Sequence, residues 1–202
     1  MKLVVGLGNP GGRYATTRHN VGYRVVEAFA ALHAIALSSR KFSGRFGRGK
    51  VARCDVAILE PETFMNLSGA SVAEAVRLLP MDDMATDLLV VSDDVDLPFG
   101  RLRIRPGGGA GGHKGLRDII EHLGRDDFPR LRFGVGRPPH PGQDTADWVL
   151  EGFSEEEEKV LPKRVEDAAH AVSSFVASGV QAAMNQWNRE AEAASKSEGD
   201  AF

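Results

Sequence analysis

The chain has 202 residues, of which 42% are hydrophobic and 26% charged, and its net charge is −3, a composition typical of a globular soluble protein. No run approaches the roughly 18 apolar residues of a membrane helix, and the N-terminus reads as a strand and not as a signal peptide. The single cysteine, Cys54, cannot form an internal disulfide and is expected to be an ordinary strand residue, not a nucleophile. These features predict a cytoplasmic protein.

Charge is distributed unevenly along the chain. Basic side chains dominate residues 1–53 and 101–140, whereas acidic ones dominate residues 54–100 and 141–202. The net charge by itself argues against a nucleic-acid-binding protein, but the two basic blocks could fold into one positive face for a polyanion. Surface charge that alternates in blocks, without any ligand, would give the same pattern.

The first elements in the chain are a strand, a glycine-rich turn and a helix. The apolar run over 1–7 is typical of a buried strand. Apolar side chains recur with a helical period over 20–33, so that His19 lies at the start of a helix. The glycines of 6–12 match a nicotinamide-dinucleotide fingerprint, but the helix begins about seven positions too late for its N-terminus to face a pyrophosphate. A loop whose backbone approaches a ligand closely is the better interpretation.

Strands and helices then alternate along the chain. We predict a loop or irregular strand over 38–50, two strands joined by a turn over 51–60, further strands over 87–93, 101–105 and 131–135, helices over 67–79 and 115–123, a long helix capped by Ser154 and interrupted at Gly179, and a last helix over 180–192. This order predicts the α/β class, as a single three-layer domain with a twisted, mixed but mostly parallel β-sheet flanked by helices. The domain is expected to span 1–192, followed by a frayed tail over 193–202.

Polar clusters follow two of the predicted strands. Asn66 and Ser68 precede a helix that needs only one cap, which leaves one of them for a ligand. Asp93, Asp94 and Asp96 end another strand, where ligands bind in α/β sheets. These three acids could orient a histidine, hold a metal ion or form a solvated turn.

Two of the six histidines lie in glycine-rich or polar loops. His19 can act as a general base or acid near neutral pH, and His113 follows the glycine run of 106–112. No two histidines have the helical spacing of metal ligands, so we expect no metal site. The segment 106–115 is too rich in glycine for simple turns and predicts a mobile lid or a loop that approaches a phosphate.

Taken together, these motifs resemble the bacterial peptidyl-tRNA hydrolase family, in order and spacing, to about residue 190. The matching stretches are 5–22, 61–69, 93–100, 111–119, 130–138 and 183–185. The resemblance implies a carboxylic ester hydrolase that cleaves the bond between a peptide and the tRNA 3′ ribose, and so recycles tRNA during translation and ribosome rescue. It implies a monomer that needs no metal or cofactor, with peptidyl-tRNA as its partner and no membrane.

The resemblance also implies roles for individual residues. His19 would be the general base for water, and Asp93 would hold and orient it. Asn9 and Asn66 would hold the peptide end, and either could face the oxyanion. Further substrate contacts would come from Tyr14, Phe64 and His113, and tRNA phosphates would be bound by Arg103, Arg105 and Arg132.

Lys114 departs from the family pattern, which most commonly has asparagine at this position. That asparagine is thought to position the water or the substrate. The ammonium group of Lys114 could bind the same water molecule or turn outward to a phosphate. A different class of function is also open, namely an RNA-binding protein on the same scaffold that does not turn over substrate. The presence of His19, Asp93, Asn9 and Asn66 together favours hydrolysis.

Overall fold

The computed structural model describes residues 1–199 and is organised around a seven-stranded sheet in the order β2-β3-β4-β1-β5-β7-β6. The strands are β1 (Lys2–Gly6), β2 (Ser39–Lys41), β3 (Gly44–Val51), β4 (Cys54–Pro61), β5 (Leu88–Asp94), β6 (Leu102–Arg105) and β7 (Arg130–Gly134). Strands β4, β1, β5 and β7 pair in parallel, and the outer pairings β2–β3, β3–β4 and β6–β7 are antiparallel. The predicted mixed sheet with a parallel centre is confirmed.

Helices cover both faces of the sheet, which gives the predicted three layers. They are α1 (Val21–Leu32), α2 (Ser68–Leu78), α3 (Met84–Asp87), α4 (Lys114–Leu123), α5 (Thr145–Trp148) and α6 (Glu155–Gly199). Side chains alternate between the faces of a strand. Val4 and Leu89 accordingly join the apolar core beneath α1 and α6, whereas Val5 and Leu88 join the core beneath α2 and α4.

Two glycines allow α1 to lie directly on β1. A Cβ atom at Gly22 would lie 2.4 Å from the backbone oxygen of Leu7, and one at Gly6 would lie 2.5 Å from the backbone oxygen of Gly22. No side chain fits into that space. The glycines of the first turn therefore serve close packing, which holds the start of α1, and with it His19, against the end of β1.

The region 38–50, predicted as a loop or irregular strand, forms the regular β2–β3 hairpin. Its glycines lie where other backbone passes closely, since a Cβ at Gly44 would lie 2.3 Å from the Glu60 oxygen and one at Gly47 would lie 2.5 Å from the Ala36 oxygen. Phe42 and Ser43 form the turn with positive φ angles of 54° and 53°. These glycines reflect packing across the sheet and not the absence of a strand.

The capping of α6 agrees with the sequence. The Oγ atom of Ser154 accepts from the Glu157 N–H (3.2 Å), and the Glu157 carboxylate accepts from the Ser154 N–H (2.7 Å), which is a capping box. Helical geometry breaks at Gly179, where φ is 80° and ψ is 174°. The helix runs on to Gly199, so the predicted tail begins on helical backbone and residues 200–202 lie outside the described residues. Within residues 1–199, no helix is long and apolar enough to cross a membrane.

Candidate active site

A cleft of about 730 Å³ opens at the carboxyl ends of the parallel strands. Strands β4 and β5 flank β1, so the connections that follow these strands diverge and leave a crevice, as in other open α/β sheets. Asn9 enters it after β1, Phe64 after β4 and Asp93 at the end of β5. The opposite wall consists of residues 110–114, 144–147, 149 and 150.

His19 lies in a short 3₁₀ turn, Arg18–Asn20, immediately before α1. The backbone N–H groups of Arg18 and His19 donate to the carbonyl oxygens of Glu151 (2.9 Å) and Val149 (2.8 Å). His19 is only 8% exposed. Its turn is therefore fixed to the segment that forms the far wall of the cleft.

Arg18 strengthens this attachment through its buried side chain. The guanidinium lies 3.6 Å from the centre of the Trp148 ring, is 2.6 Å from the Glu157 carboxylate and donates to the Gly152 oxygen. The sequence predicts no element and no site residue in the segment 144–152, which Arg18 contacts. The one local signal is Asp144, whose carboxylate caps α5 by accepting from the Ala146 N–H at 2.8 Å.

One oxygen of Asp93 accepts two hydrogen bonds from histidines. Oδ1 lies 2.8 Å from Nδ1 of His19 and 3.0 Å from Nε2 of His113. Burial by itself would raise the pKa of this carboxyl, but the two histidines outweigh burial and hold the pKa of Asp93 well below its usual range. Asp93 is therefore an anion inside the protein.

The backbone of α4 determines the tautomer of His113. Its Nδ1 atom accepts from the N–H groups of Gly115 (3.1 Å) and Leu116 (3.2 Å), so His113 is the N-cap of α4. The ring proton of the neutral side chain must then be on Nε2, which donates it to Asp93. In its neutral form, His19 donates to Asp93 through Nδ1 and carries its lone pair on Nε2.

This hydrogen bonding also bears on metal binding. Atoms of His19, Asp93 and His113 are close enough together to surround a cation. A cation would need the lone pair of Nε2 on His113, which would place the proton on Nδ1, against two backbone N–H donors. The donor arrangement favours a hydrogen-bonded triad over a metal site.

Asn9 has a fixed amide orientation. Its Oδ1 accepts from the Met65 N–H at 2.8 Å, and its backbone N–H and C=O each bond to the side chain of Asn20 at 2.9 Å. Because the amide oxygen is occupied, Nδ2 is the donor that Asn9 can offer to a ligand in the cleft.

The model of the family described as peptidyl-tRNA hydrolase matches residues 3–196. The chain belongs to the peptidyl-tRNA hydrolase family. Over 189 residues it is 49% identical to the peptidyl-tRNA hydrolase of Chloroflexus aggregans, which covers 93% of this chain and 99% of that protein. The corresponding protein of Symbiobacterium thermophilum is 47% identical over 189 residues and covers 93% of this chain and 98% of that protein.

Solved structures give the same result. The crystal structure of peptidyl-tRNA hydrolase from Acinetobacter baumannii superposes with a TM-score of 0.81 at 38% identity, covering 93% of this chain and 94% of that one. A peptidyl-tRNA hydrolase complex with n-propanol gives 0.82 at 38% identity, with the same coverage. The fold inferred from the sequence resemblance is that of these hydrolases.

The sequence predicts that Asn66 or Ser68 caps α2, and this prediction is wrong. Neither side chain caps α2. The carboxylate of Asp118, on α4, accepts from the Gly69 N–H and occupies that place, and the Ser68 hydroxyl donates to the Met65 oxygen at 2.9 Å. Asn66 is exposed at the rim of the cleft, next to Phe64, which is 51% exposed.

Two hydrogen bonds attach the glycine-rich loop to the rest of the domain, and a third closes a turn within it. The Gly108 N–H donates to the Asp126 oxygen (2.8 Å), the His113 N–H donates to the Ala110 oxygen (3.0 Å), and Nη1 of Arg130 donates to the Gly109 oxygen (2.8 Å). Arg130 is 2% exposed and was not singled out by its sequence context. These bonds carry the chain into the N-terminus of α4, where His113 lies.

The other predicted site residues lie in different places. Lys114 is exposed at the first position of α4 and lines the cleft, as does Arg132. Arg103 and Arg105 are half-buried on β6, outside the cleft lining. Tyr14 lies beneath the Arg13 guanidinium, 4.5 Å from ring centre to Cζ, and is also outside the lining.

Proposed function

We propose that this chain hydrolyses the ester that joins a peptide, or an N-blocked amino acid, to the 3′ ribose of tRNA, with His19 as the general base. We further propose that it acts as a cytoplasmic monomer that recycles tRNA. The arrangement of His19, Asp93 and His113 in the cleft of a peptidyl-tRNA hydrolase family member supports this most directly. No residue of this arrangement requires a cofactor for the chemistry.

In the first step, Nε2 of His19 takes a proton from water as the water oxygen attacks the ester carbonyl carbon. Asp93 holds Nδ1–H of the same ring at 2.8 Å and stabilises the imidazolium that forms. The imidazolium then returns the proton to the ribose oxygen as the ester bond breaks. The products are a peptide with a free carboxyl group and a tRNA with a free hydroxyl. A positioned base typically contributes about 10²–10⁴ in rate.

Of the two candidate asparagines, Asn9 is the better donor to the oxyanion. Its Nδ2 group is held in place because Oδ1 is bonded to the Met65 N–H at 2.8 Å. A donor that needs no reorganisation stabilises developing charge, by about 10²–10³ in rate for one such group. Asn66 is exposed and suits contact with the peptide, together with the exposed ring of Phe64.

The tRNA would lie along β6 and β7. Leu102, Ile104, Leu131 and Phe133 point into the α1–α6 core, so the arginines between them point to the opposite face. Arg103 lies directly across from Arg132, and Arg105 across from Arg130. Like charges in this position destabilise a sheet. Burial, and then the charges of Arg105, Arg132 and Arg101, lower the pKa of Arg103.

A polyanionic ligand would offset the repulsion between these neighbouring arginines. Arg130 donates to the backbone oxygens of Gly109 and Asp126, whereas Arg103, Arg105 and the Nη groups of Arg132 would contact phosphates, which positions the substrate without reading its sequence. Lys114, exposed at the cleft, extends this positive surface toward the ester.

The decisive experiment is release of an N-blocked amino acid from aminoacyl-tRNA by the purified chain, with the His19→Ala variant as control. We expect turnover by the wild type and a loss of at least about 10² in the variant. tRNA that is bound but not cleaved by the wild type would favour the RNA-binding alternative. Full activity of His19→Ala would exclude His19 as the base.

A further inference from the structure

Asp93 is followed by a second buried carboxylate, Asp94, which the proposed hydrolysis does not use. We propose that Asp94 is a positioning residue that holds the guanidinium of Arg132 in the orientation that binds a phosphate of the tRNA. This inference rests on the proposed function and deepens its account of the tRNA contacts.

The strand β5 directs the two neighbouring carboxylates to different faces of the sheet. Asp93 follows the alternation of Leu89 and Val91, whose side chains lie in the α1–α6 core, whereas Asp94 follows that of Leu88 and Val90, on the α4 side. The arginines of β6 and β7 also point to the α4 side. One residue therefore serves the hydrolytic centre and the next one faces the positive surface.

The two oxygens of Asp94 have different partners. Oδ1 accepts a hydrogen bond from the Asp96 N–H at 2.9 Å, whereas Oδ2 forms an ion pair with Nε of Arg132 and, within residues 1–199, accepts no hydrogen bond. The Asp94 side chain is 5% exposed and that of Arg132 is 27% exposed, so the guanidinium lies between the carboxylate and the solvent. An arginine bound through Nε retains its Nη donors, and a phosphate accepts two parallel N–H groups from a guanidinium.

Arg132 needs such a restraint because of its neighbour. Arg103 lies directly opposite it across β6 and β7, and two guanidinium groups at that separation repel each other. Without Asp94, Arg132 would be free to turn away from Arg103 and from the cleft. The carboxylate fixes one arrangement of the two cations before tRNA arrives.

The sign of the effect distinguishes positioning from charge. Removal of a negative charge beside a polyanion site should, on charge alone, tighten tRNA binding. Loss of a positioning carboxylate should weaken it, because the phosphate contact is no longer pre-organised. The isosteric variant Asp94→Asn separates the two accounts.

The experiment measures KM and kcat for N-blocked aminoacyl-tRNA, and the affinity for uncharged tRNA, in Asp94→Asn. We expect KM and the dissociation constant to rise about tenfold, because Arg132 is no longer pre-organised for the phosphate, with kcat within about twofold. Asp127→Asn is the matched control, because it removes an equal charge from an exposed pair with Arg125 outside the cleft lining. It should leave all three constants unchanged.

A double-mutant cycle with Arg132→Ala protects the test against a variant that only disturbs folding. If Asp94 acts through Arg132, Asp94→Asn has no further effect on KM in the Arg132→Ala background. An equal or lower KM in Asp94→Asn, a selective fall in kcat, or a full additional effect in the Arg132→Ala background would each overturn the proposal. If the wild type cleaves no ester, the proposed function fails, and the affinities for uncharged tRNA still test Asp94.

Discussion

Asp93 and Glu60 are both buried carboxylates near the carboxyl ends of β5 and β4, the parallel strands on either side of β1, and they are in opposite electrostatic situations. Asp93 accepts from His19 and His113, and its pKa is held well below the usual range. Glu60 is 0% exposed and, within residues 1–199, neither of its oxygens accepts a hydrogen bond. Burial, together with the charge of Glu27, raises the pKa of Glu60 to about 7 against the opposing effect of Arg45.

The difference lies in the geometry of the donors and not in the distance to a cation. Nη1 of Arg45 is 2.9 Å from Oε2 of Glu60, but it does not direct an N–H at that oxygen, and it also binds Glu27 at 2.7 Å. The two histidines direct their ring protons at Asp93, and one of them is held by the backbone of α4. Burial raises the pKa of any carboxyl, so an anion persists inside a protein where oriented donors surround it.

The largest effect on the rate of hydrolysis is expected from replacing Asp93, the carboxylate that accepts two hydrogen bonds. Asp93→Asn replaces the anion beside His19 with a neutral amide, so the imidazolium that forms during the reaction is no longer stabilised by a negative charge. We expect the rate of ester release to fall about 10²–10⁴-fold, with the affinity for uncharged tRNA unchanged. Single-turnover release from N-blocked aminoacyl-tRNA measures this, and a rate within about threefold of the wild type would contradict the role of Asp93.

A smaller effect is expected from His113, which has both a capping and a positioning role. His113→Ala removes the cap of α4 and the bond to Asp93, and should lower stability by about 1 kcal/mol and kcat by about 10–100-fold. His113→Asn retains a side chain that can cap the helix but is too short to reach Asp93. It should recover the stability, measured by denaturant unfolding, without recovering kcat. Recovery of both would show that His113 acts only as a cap.

The smallest effect is expected from replacing Glu60, the carboxylate that accepts no hydrogen bond within residues 1–199, and it should change the stability of the fold alone. The pKa of Glu60 is about 7 in the fold, against 4.5 as its ordinary value. A carboxyl with a raised pKa stabilises the fold while it is protonated, and this contribution is lost as pH rises from about 4.5 through 7. Glu60→Gln should therefore unfold with a free energy about 1–3 kcal/mol higher than the wild type at pH 8, and with little difference at pH 4.

Denaturant unfolding at the two pH values measures the effect of Glu60→Gln. Glu62→Gln, which changes a more exposed carboxylate paired with Arg40, is the control and should show no such pH dependence. A destabilised Glu60→Gln at pH 8 would mean that the ion pair with Arg45 outweighs the cost of burial.

Much of the fold was accessible from local pattern. The apolar runs of β1 and β5 and the helical period before Leu32 are properties of short stretches, and the capping box at Ser154 lies within four residues. The pairing of His19 with Asp93 was implied by the family resemblance, and the two side chains lie 2.8 Å apart.

The features that sequence did not predict depend on contacts between distant parts of the chain. The cap of α2 comes from Asp118, 49 residues beyond Gly69. The fixed orientation of Asn9 depends on Met65, and that of Arg18 depends on Trp148. The residues adjacent to these side chains in the sequence do not specify their partners. The partners are brought close only when α4 and the segment before α6 pack against the sheet.

The central claim is that two histidines donate to one aspartate and that this leaves Nε2 of His19 as the base. The most direct measurement is a ¹⁵N–¹H correlation spectrum of the histidine rings in the free protein at pH 8. The account predicts that the neutral ring carries its proton on Nδ1 in His19 and on Nε2 in His113, with the His113 assignment unchanged in Asp93→Asn because α4 fixes it. A proton on Nε2 of His19, or on Nδ1 of His113, would contradict it.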